Sequence, residues 1–205
     1  DPEARMCFIG PCAAKKLEAS RRTVRSDVDF VLTFEELRGM FEAKGIDFSQ
    51  IEDSAAHYEA SAPGVGFAAG GGVAKAVEEV IHRIRPEVEV KTVAAEGLDE
   101  CRKMLRVART GKYNGYLLEG MACPGGCVGG GGQPIHEGKE MAEIRSKNLY
   151  FLDSQNERRF SHENPEVLKT YEEYLEKPLS RMSHKLLHTD HHGWDMPLAP
   201  KLKKR

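Results

Sequence analysis

Residues 113–134 read YNGYLLEGMACPGGCVGGGGQP, an apolar strand-like run that empties into two cysteines and a string of glycines. Cys123 and Cys127 stand four apart, and Gly125, Gly126, Gly129, Gly130, Gly131 and Gly132 strip the backbone around them of side chains. Sulfur in so bare a segment admits four readings: a disulfide pair, a zinc half-site, a phosphate-binding glycine loop, or one lip of an iron–sulfur cluster.

Upstream of that stretch, strand and helix alternate. MCFIG at 6–10 reads as a buried strand, and PCAAKKLEAS continues into a helix, with Pro11 in the turn and Cys12 at the helix start. VDFVLT at 28–33 is a second strand, followed by a helix that Thr33 caps with Glu36 completing a capping box and Gly45 ending it. Residues 49–72 are irregular and close on Gly70, Gly71 and Gly72, which feed a helix from Val73 to Arg85 stopped by Pro86. VEVKTVAA at 88–95 is a strand and GLDECRKMLRVARTG at 97–111 a helix. The pattern predicts an α/β fold with a mainly parallel sheet and flanking helices, and the cysteine motif leaves the carboxyl end of a strand, where such sheets place ligands.

After about Lys147 the alternation stops. Helical segments near 165–176 and 180–188 read as a wrap packed on a core made elsewhere, followed by a polar basic tail over 191–205. The division expected is 1–147, 148–190 and 191–205.

Composition sets the outer limits. The chain has 205 residues with 40% hydrophobic content, enough for a core, and its 30 basic and 32 acidic residues nearly cancel. No global field recruits nucleic acid or an anionic membrane, and the terminal KLKKR reads as a solvated tail. No apolar run is long enough to span a bilayer and no signal-peptide pattern opens the chain, so the expected compartment is the cytoplasm. The chain opens without Met and moves at once into an apolar run, which reads as the C-terminal part of something longer.

Five cysteines, at 7, 12, 101, 123 and 127, are too few and too odd in number for a disulfide framework. Zinc wants a second close pair or paired histidines, which this spacing lacks, and VGGGGQP lacks the Gly-Lys-Ser/Thr ending of a phosphate loop. An iron–sulfur cluster fits better. Thiolates must approach a bulky inorganic cube while nearby backbone N–H groups donate to its sulfurs, and glycines permit that approach. Cys12, beside the amides of a helix start, is a third candidate ligand. Cys7 reads as a buried core thiol and Cys101 as incidental. Glu119 reads as a strand-end carboxylate bonding backbone amides, and Ser161 in SHENP as a helix cap with Pro165 early in the helix.

EGMACPGGCVGGGGQP together with GPCAAKKLEA resembles the second and third cluster-binding motifs of the [FeFe]-hydrogenases. FAAGGGVAKAV at 67–77 is similar to the glycine turn lining their active site, and residues 159–189 resemble their small-subunit-like C-terminal wrap. The resemblance implies one lobe of the iron-only hydrogenase fold and an H-cluster: a [4Fe–4S] cluster joined through a cysteine sulfur to a two-iron subcluster with CO, cyanide and a bridging dithiolate. By motif, Cys12 and Cys123 bind the cube and Cys127 bridges it to the two-iron unit. Lys15 donates to a cyanide, while Pro11, Met121 and Phe67 pack around the two-iron unit and keep it dry. The implied substrates are H2 and protons. The implied partners are the remaining N-terminal part of the hydrogenase with the fourth cluster ligand, an electron carrier such as ferredoxin or a redox or signalling domain, and the hydrogenase maturation proteins.

One position departs from the pattern. The catalytic members have Met-Pro-Cys where this chain has Gly10-Pro11-Cys12, a feature similar to the slow sensory branch. Cytosolic iron–sulfur assembly factors share the fold and the cysteine motifs without the two-iron site, and form the other alternative.

Overall fold

The computed structural model describes residues 3–20, 28–52, 62–138, 140–155, 157 and 160–188. The basic tail at 191–205 and the part of the irregular stretch at 53–61 lie outside them.

Two β-α-β units form the scaffold. In the first, β1 (Cys7–Gly10) crosses over through α1 (Ala14–Ala19) to β2 (Phe30–Thr33), parallel to β1 with Cys7 opposite Phe30 and Gly10 opposite Thr33. In the second, β3 (Lys91–Glu96) passes through α5 (Leu98–Ala108) to β4 (Tyr116–Met121), parallel with Lys91 opposite Tyr116 and Glu96 opposite Met121. Parallel neighbours need such a crossover, so the alternation in sequence dictates the pairing. The expected α/β class holds, but the described strands form two separate two-stranded parallel sheets, not one.

Helix α2 (Phe34–Ala43) starts as its sequence requires. The Glu36 N–H donates to Thr33 Oγ1 at 3.2 Å, and the Thr33 N–H donates to the Glu36 carboxylate at 2.8 Å. It ends one residue before the position that Gly45 as cap would give. Lys44 is the cap and Gly45 lies beyond it at φ +65°, with the Ile46 N–H reaching the Phe41 carbonyl at 3.0 Å. That longer return bond needs a left-handed residue, which is the reason for glycine there. Lys16 ties α1 to this unit, its ammonium donating to the Val31 carbonyl at 2.9 Å and pairing with Glu36.

Helix α4 (Gly72–Ile84) follows the short α3 (Ala62–Gly66). Helix α6 (Ala142–Gln155) crosses residue 147, where the sequence shows no periodic apolar stripe to announce a helix. Beyond it come α7 (Pro165–Thr170), a π-type turn at Tyr171–Leu175, and α8 (Arg181–Leu187). Asn164, not Ser161, caps α7, accepting from the Glu166 N–H at 2.9 Å. Ser161 instead begins a short 3-10 turn, and Pro165 takes the first helical position.

The core is narrow and built from small groups: Ala69, Ala74, Ala76, Met104, Val128 and Leu175. Large apolar side chains sit on outer faces, with Phe30 56% exposed, Ile9 44% and Leu98 69%. Two-stranded sheets offer too little area to cover them. For the same reason Cys7, expected in the core, is exposed at the outer edge of β1.

Candidate metal centre

Cys12 and Cys123 each stand two residues past the carboxyl end of a strand, β1 and β4. Both strands are rigid, so the two sulfurs are delivered from fixed points. Cys127 opens a 3-10 turn, Cys127–Gly129, on the glycine loop.

The structure brings these three thiols together with Lys15. Burial pushes the Cys127 thiol up, the neighbouring Cys12 and Cys123 push it further, and Lys15 partly offsets them. An effect of this kind requires Cys12, Cys123 and Lys15 to lie within electrostatic reach of Cys127. All five cysteines are free, which removes the disulfide reading. Among the described residues no three His, Cys, Asp or Glu side chains converge on a single point. A polynuclear cluster, whose cysteines bind different corners, suits three thiols that are near but not convergent. The donor set is cysteine sulfur, the ligand type that such clusters take.

Several of the glycines also let the loop approach other parts of the protein closely. A Cβ on Gly126 would lie 2.6 Å from the Gly70 nitrogen and 2.7 Å from the Ala68 carbonyl oxygen. One on Gly130 would lie 2.4 Å from the Pro11 oxygen, and one on Gly132 would lie 2.6 Å from Thr33 Cβ. These residues let the loop press against other backbone, the 68–70 turn on one side and the Pro11–Cys12 turn on the other. The Val128 N–H donates to the Ala68 carbonyl at 3.0 Å, and the Gly132 N–H to the Pro11 carbonyl at 2.8 Å. Pro11 therefore anchors the loop carrying Cys127 beside Cys12.

Two carboxylates lock this arrangement. Glu119, 9% exposed on β4, accepts from the Gly71 N–H at 3.0 Å and the Ala74 N–H at 2.7 Å. It thereby caps α4 from 45 residues away in sequence and places a negative charge at that helix's N-terminus. Glu96, at the end of β3, accepts from the Gly125 N–H at 2.8 Å, and its carboxylate fills the space that a Cβ on Gly70 would need. From the far side, Arg145 on α6 donates to the Val128 carbonyl at 3.0 Å and the Pro134 carbonyl at 2.5 Å. Glu96 and Arg145 carry no sequence motif. Only their long-range partners identify them.

The other expected site residues are placed as follows. Met121 ends β4, half-buried, and its carbonyl accepts from the Gly97 N–H at 2.8 Å. Phe67 follows α3 with 43% of its surface exposed. Lys15 is ion-paired with Glu18 one turn along α1, which leaves further ammonium hydrogens to donate. Cys101 lies behind β4, its thiol donating to the Ala95 carbonyl at 3.5 Å and the Met121 carbonyl at 3.4 Å, apart from the triad. At Gly10 a Cβ would come within 2.8 Å of the Phe8 ring, so Phe8 covers the room beside that glycine.

Two cysteines just past the carboxyl ends of parallel strands and a third on the adjoining glycine loop are a donor set of the kind iron–sulfur proteins use. The chain belongs to the iron-only hydrogenases: residues 1–131 match the family described as iron only hydrogenase large subunit, C-terminal domain, and residues 139–194 match iron hydrogenase small subunit. It is 35% identical to the NADP-reducing hydrogenase subunit HndD of Solidesulfovibrio fructosivorans, over 88% of this chain and 37% of that protein. It is also 27% identical to Protein NAR1 of Arabidopsis thaliana, over 90% of this chain and 49% of that protein. The fold superposes on a variant of [FeFe]-hydrogenase HydA1 from Chlamydomonas reinhardtii with a TM-score of 0.69 at 25% identity, over 90% of this chain and 62% of that one. The chain thus spans about half or less of the length of these two curated relatives. Among the described residues no helix is long and apolar enough to cross a membrane.

Proposed function

We propose that this chain forms one lobe of an iron hydrogenase, holding an H-cluster through Cys12, Cys123 and Cys127. The observation that carries the reading is the placement of Cys12, Cys123 and Lys15 within electrostatic reach of Cys127, on a chain of this family. Cys12 and Cys123 would hold a [4Fe–4S] cluster, and Cys127 would hold both that cluster and the two-iron unit. When bound, the two-iron unit with its CO, cyanide and dithiolate supplies the interconversion of H2 with protons and electrons.

The chain's own residues bind, orient and keep the site dry. The Lys15 ammonium would donate a charge-assisted hydrogen bond to a cyanide of that unit, while Glu18 fixes the side chain that carries it. Pro11, Met121 and Phe67 would pack around the two-iron unit. Glu96, Glu119 and Arg145 hold the cysteine loop so that the sulfurs meet the cluster without rearrangement.

A four-iron cube takes a fourth ligand, and the triad leaves that corner to the complementary N-terminal lobe that longer relatives have room for. The exposed Ile9 and Phe30 on the first sheet support such a lobe covering them. Electrons reach the cluster from a ferredoxin-like carrier or a redox or signalling domain, and maturation proteins deliver the two-iron unit. Gly10 in place of Met favours the slow sensory form of the activity.

A second reading is kept by the likeness to Protein NAR1: an iron–sulfur assembly factor with the cube and no two-iron unit. One experiment separates them. The chain, joined to its complementary lobe, is loaded anaerobically with the two-iron cofactor and examined by infrared spectroscopy and H2 assay. CO and cyanide bands that vanish in Cys127→Ala support the hydrogenase reading. Absence of bands under conditions that load a known hydrogenase favours the assembly reading.

A further inference from the structure

We propose that Arg145 couples the small-subunit-like segment to the metal centre: it holds the Cys127 turn in the form that receives the cluster, and a loaded cluster in turn fixes α6. The inference rests on the cluster reading above.

Arg145 reaches across the joint between the two family regions. It stands in the second, residues 139–194, and one guanidinium nitrogen donates to the carbonyl of Val128 in the first, at 3.0 Å. The other terminal nitrogen donates to the carbonyl of Pro134, in the stretch between the two regions, at 2.5 Å. Val128 follows Cys127 inside the 3-10 turn and Pro134 closes the glycine run, so one planar group ties both ends of the loop. The side chain is 23% exposed, and Glu140 pairs at 3.1 Å with the nitrogen that serves Val128.

Helix α6 is docked without a buried face. None of its 14 residues is buried, and Phe151 is 64% exposed. Most helical stability in proteins comes from packing an apolar face, which α6 does not have. Toward α3 it presents Tyr150, whose ring would stand 3.8 Å from a Cβ on Gly66, with the Lys75 ammonium 5.9 Å from the ring centre. An element of low local stability joined to a ligand-bearing turn responds to that ligand, and linkage makes the response reciprocal. Filling the turn strengthens the hold on α6 to the degree that α6 orders the empty turn.

The test is hydrogen exchange on the full 205-residue chain, metal-free and after anaerobic loading with iron, sulfide and a thiol for the open corner. In the parent, loading should slow exchange of the α6 amides from Ser146 to Leu152 at least tenfold. In metal-free Arg145→Gln the Gly129 and Gly130 amides, bonded to the Gly126 and Cys127 carbonyls, should exchange at least tenfold faster, and loading should no longer protect α6. Arg145→Lys keeps the charge without the planar fork and should restore only part of the response. Glu140→Gln leaves both carbonyl bonds in place and should respond like the parent. Leu175→Ala opens a cavity in the C-terminal wrap and should lower stability while leaving the response of α6 intact, which separates coupling from general loosening. Protection of α6 that does not change on loading, that survives in Arg145→Gln, or that is lost equally in Leu175→Ala overturns the proposal. Failure of Arg145→Gln alone to load iron supports it. A parent chain that takes up no iron overturns the cluster reading instead, and the hold of Arg145 on the turn then stands or falls on the metal-free Gly129 and Gly130 rates.

Discussion

Replacement of Glu119 removes the contact that joins β4 to the start of α4, and its cost follows from the geometry. In Glu119→Ala two backbone N–H groups, of Gly71 and Ala74, lose a buried carboxylate acceptor. A hydrogen bond to a charged group contributes about 1.5–3 kcal/mol, and an anion at a helix N-terminus about 0.3–1 kcal/mol more. Some of this returns as water reaches Gly71, whose N–H is only part-buried, while Ala74 is 4% exposed and stays dry. The net expectation is about 3–4 kcal/mol, a large share of the 5–15 kcal/mol typical of a domain. Glu119→Gln keeps one oxygen but points an amide N–H at a second N–H, and loses about 2 kcal/mol. Urea unfolding followed by circular dichroism gives the totals. Hydrogen exchange at Gly71 and Ala74 gives the local effect, expected to rise first there. Both variants within about 0.5 kcal/mol of the parent, with unchanged exchange at Ala74, would refute the reasoning.

Other substitutions probe the same loop. Gly70→Ala places a Cβ where the Glu96 carboxylate lies, so Gly125 loses its acceptor; exchange of the Gly125 amide should accelerate, and an unaltered rate would show that Glu96 does not hold it. Gly10→Met meets the Phe8 ring and should cost about 1–3 kcal/mol, recovered in part by adding Phe8→Ala; a single variant as stable as the parent would mean Phe8 moves freely. Hydrogen bonds from the Thr33 N–H and from Lys16 hold the Glu36 carboxyl at about 2, below its ordinary 4.5. Its contribution to stability is therefore complete above about pH 4.5 and is lost as pH falls toward about 2. Glu36→Gln should flatten that part of the stability curve; parallel acid curves for parent and variant would contradict the assignment.

Local signals in the chain were readable because their partners are close in sequence. Thr33 and Glu36 form the capping box their spacing announces, and Gly45 takes the left-handed position its helix end needs. The strand-to-cysteine transitions at Gly10–Cys12 and Met121–Cys123 were visible in the same way. Glu119 could be read as bonding amides, but which amides depends on a turn more than 40 residues away. Glu96 and Arg145 were invisible, since each acts only on backbone that the fold brings to it. The glycines announced a close approach, but sequence shows that side chains are absent without showing that the 68–70 turn and Pro11 take their place. Cys7 looked buried by its apolar neighbours, yet the two-stranded sheet leaves its edge open.

The central claim is that Cys12, Cys123 and Cys127 act as one ligand set, and iron and sulfide counted per chain after anaerobic reconstitution test it most directly. Cys7→Ser and Cys101→Ser should load like the parent, approaching about four irons per chain when a thiol is supplied for the open corner. Cys12→Ser, Cys123→Ser and Cys127→Ser should each lose most of that iron and the thiolate-to-iron absorption with it. Full loading in any of those three, or equal loss in Cys7→Ser, would contradict the account.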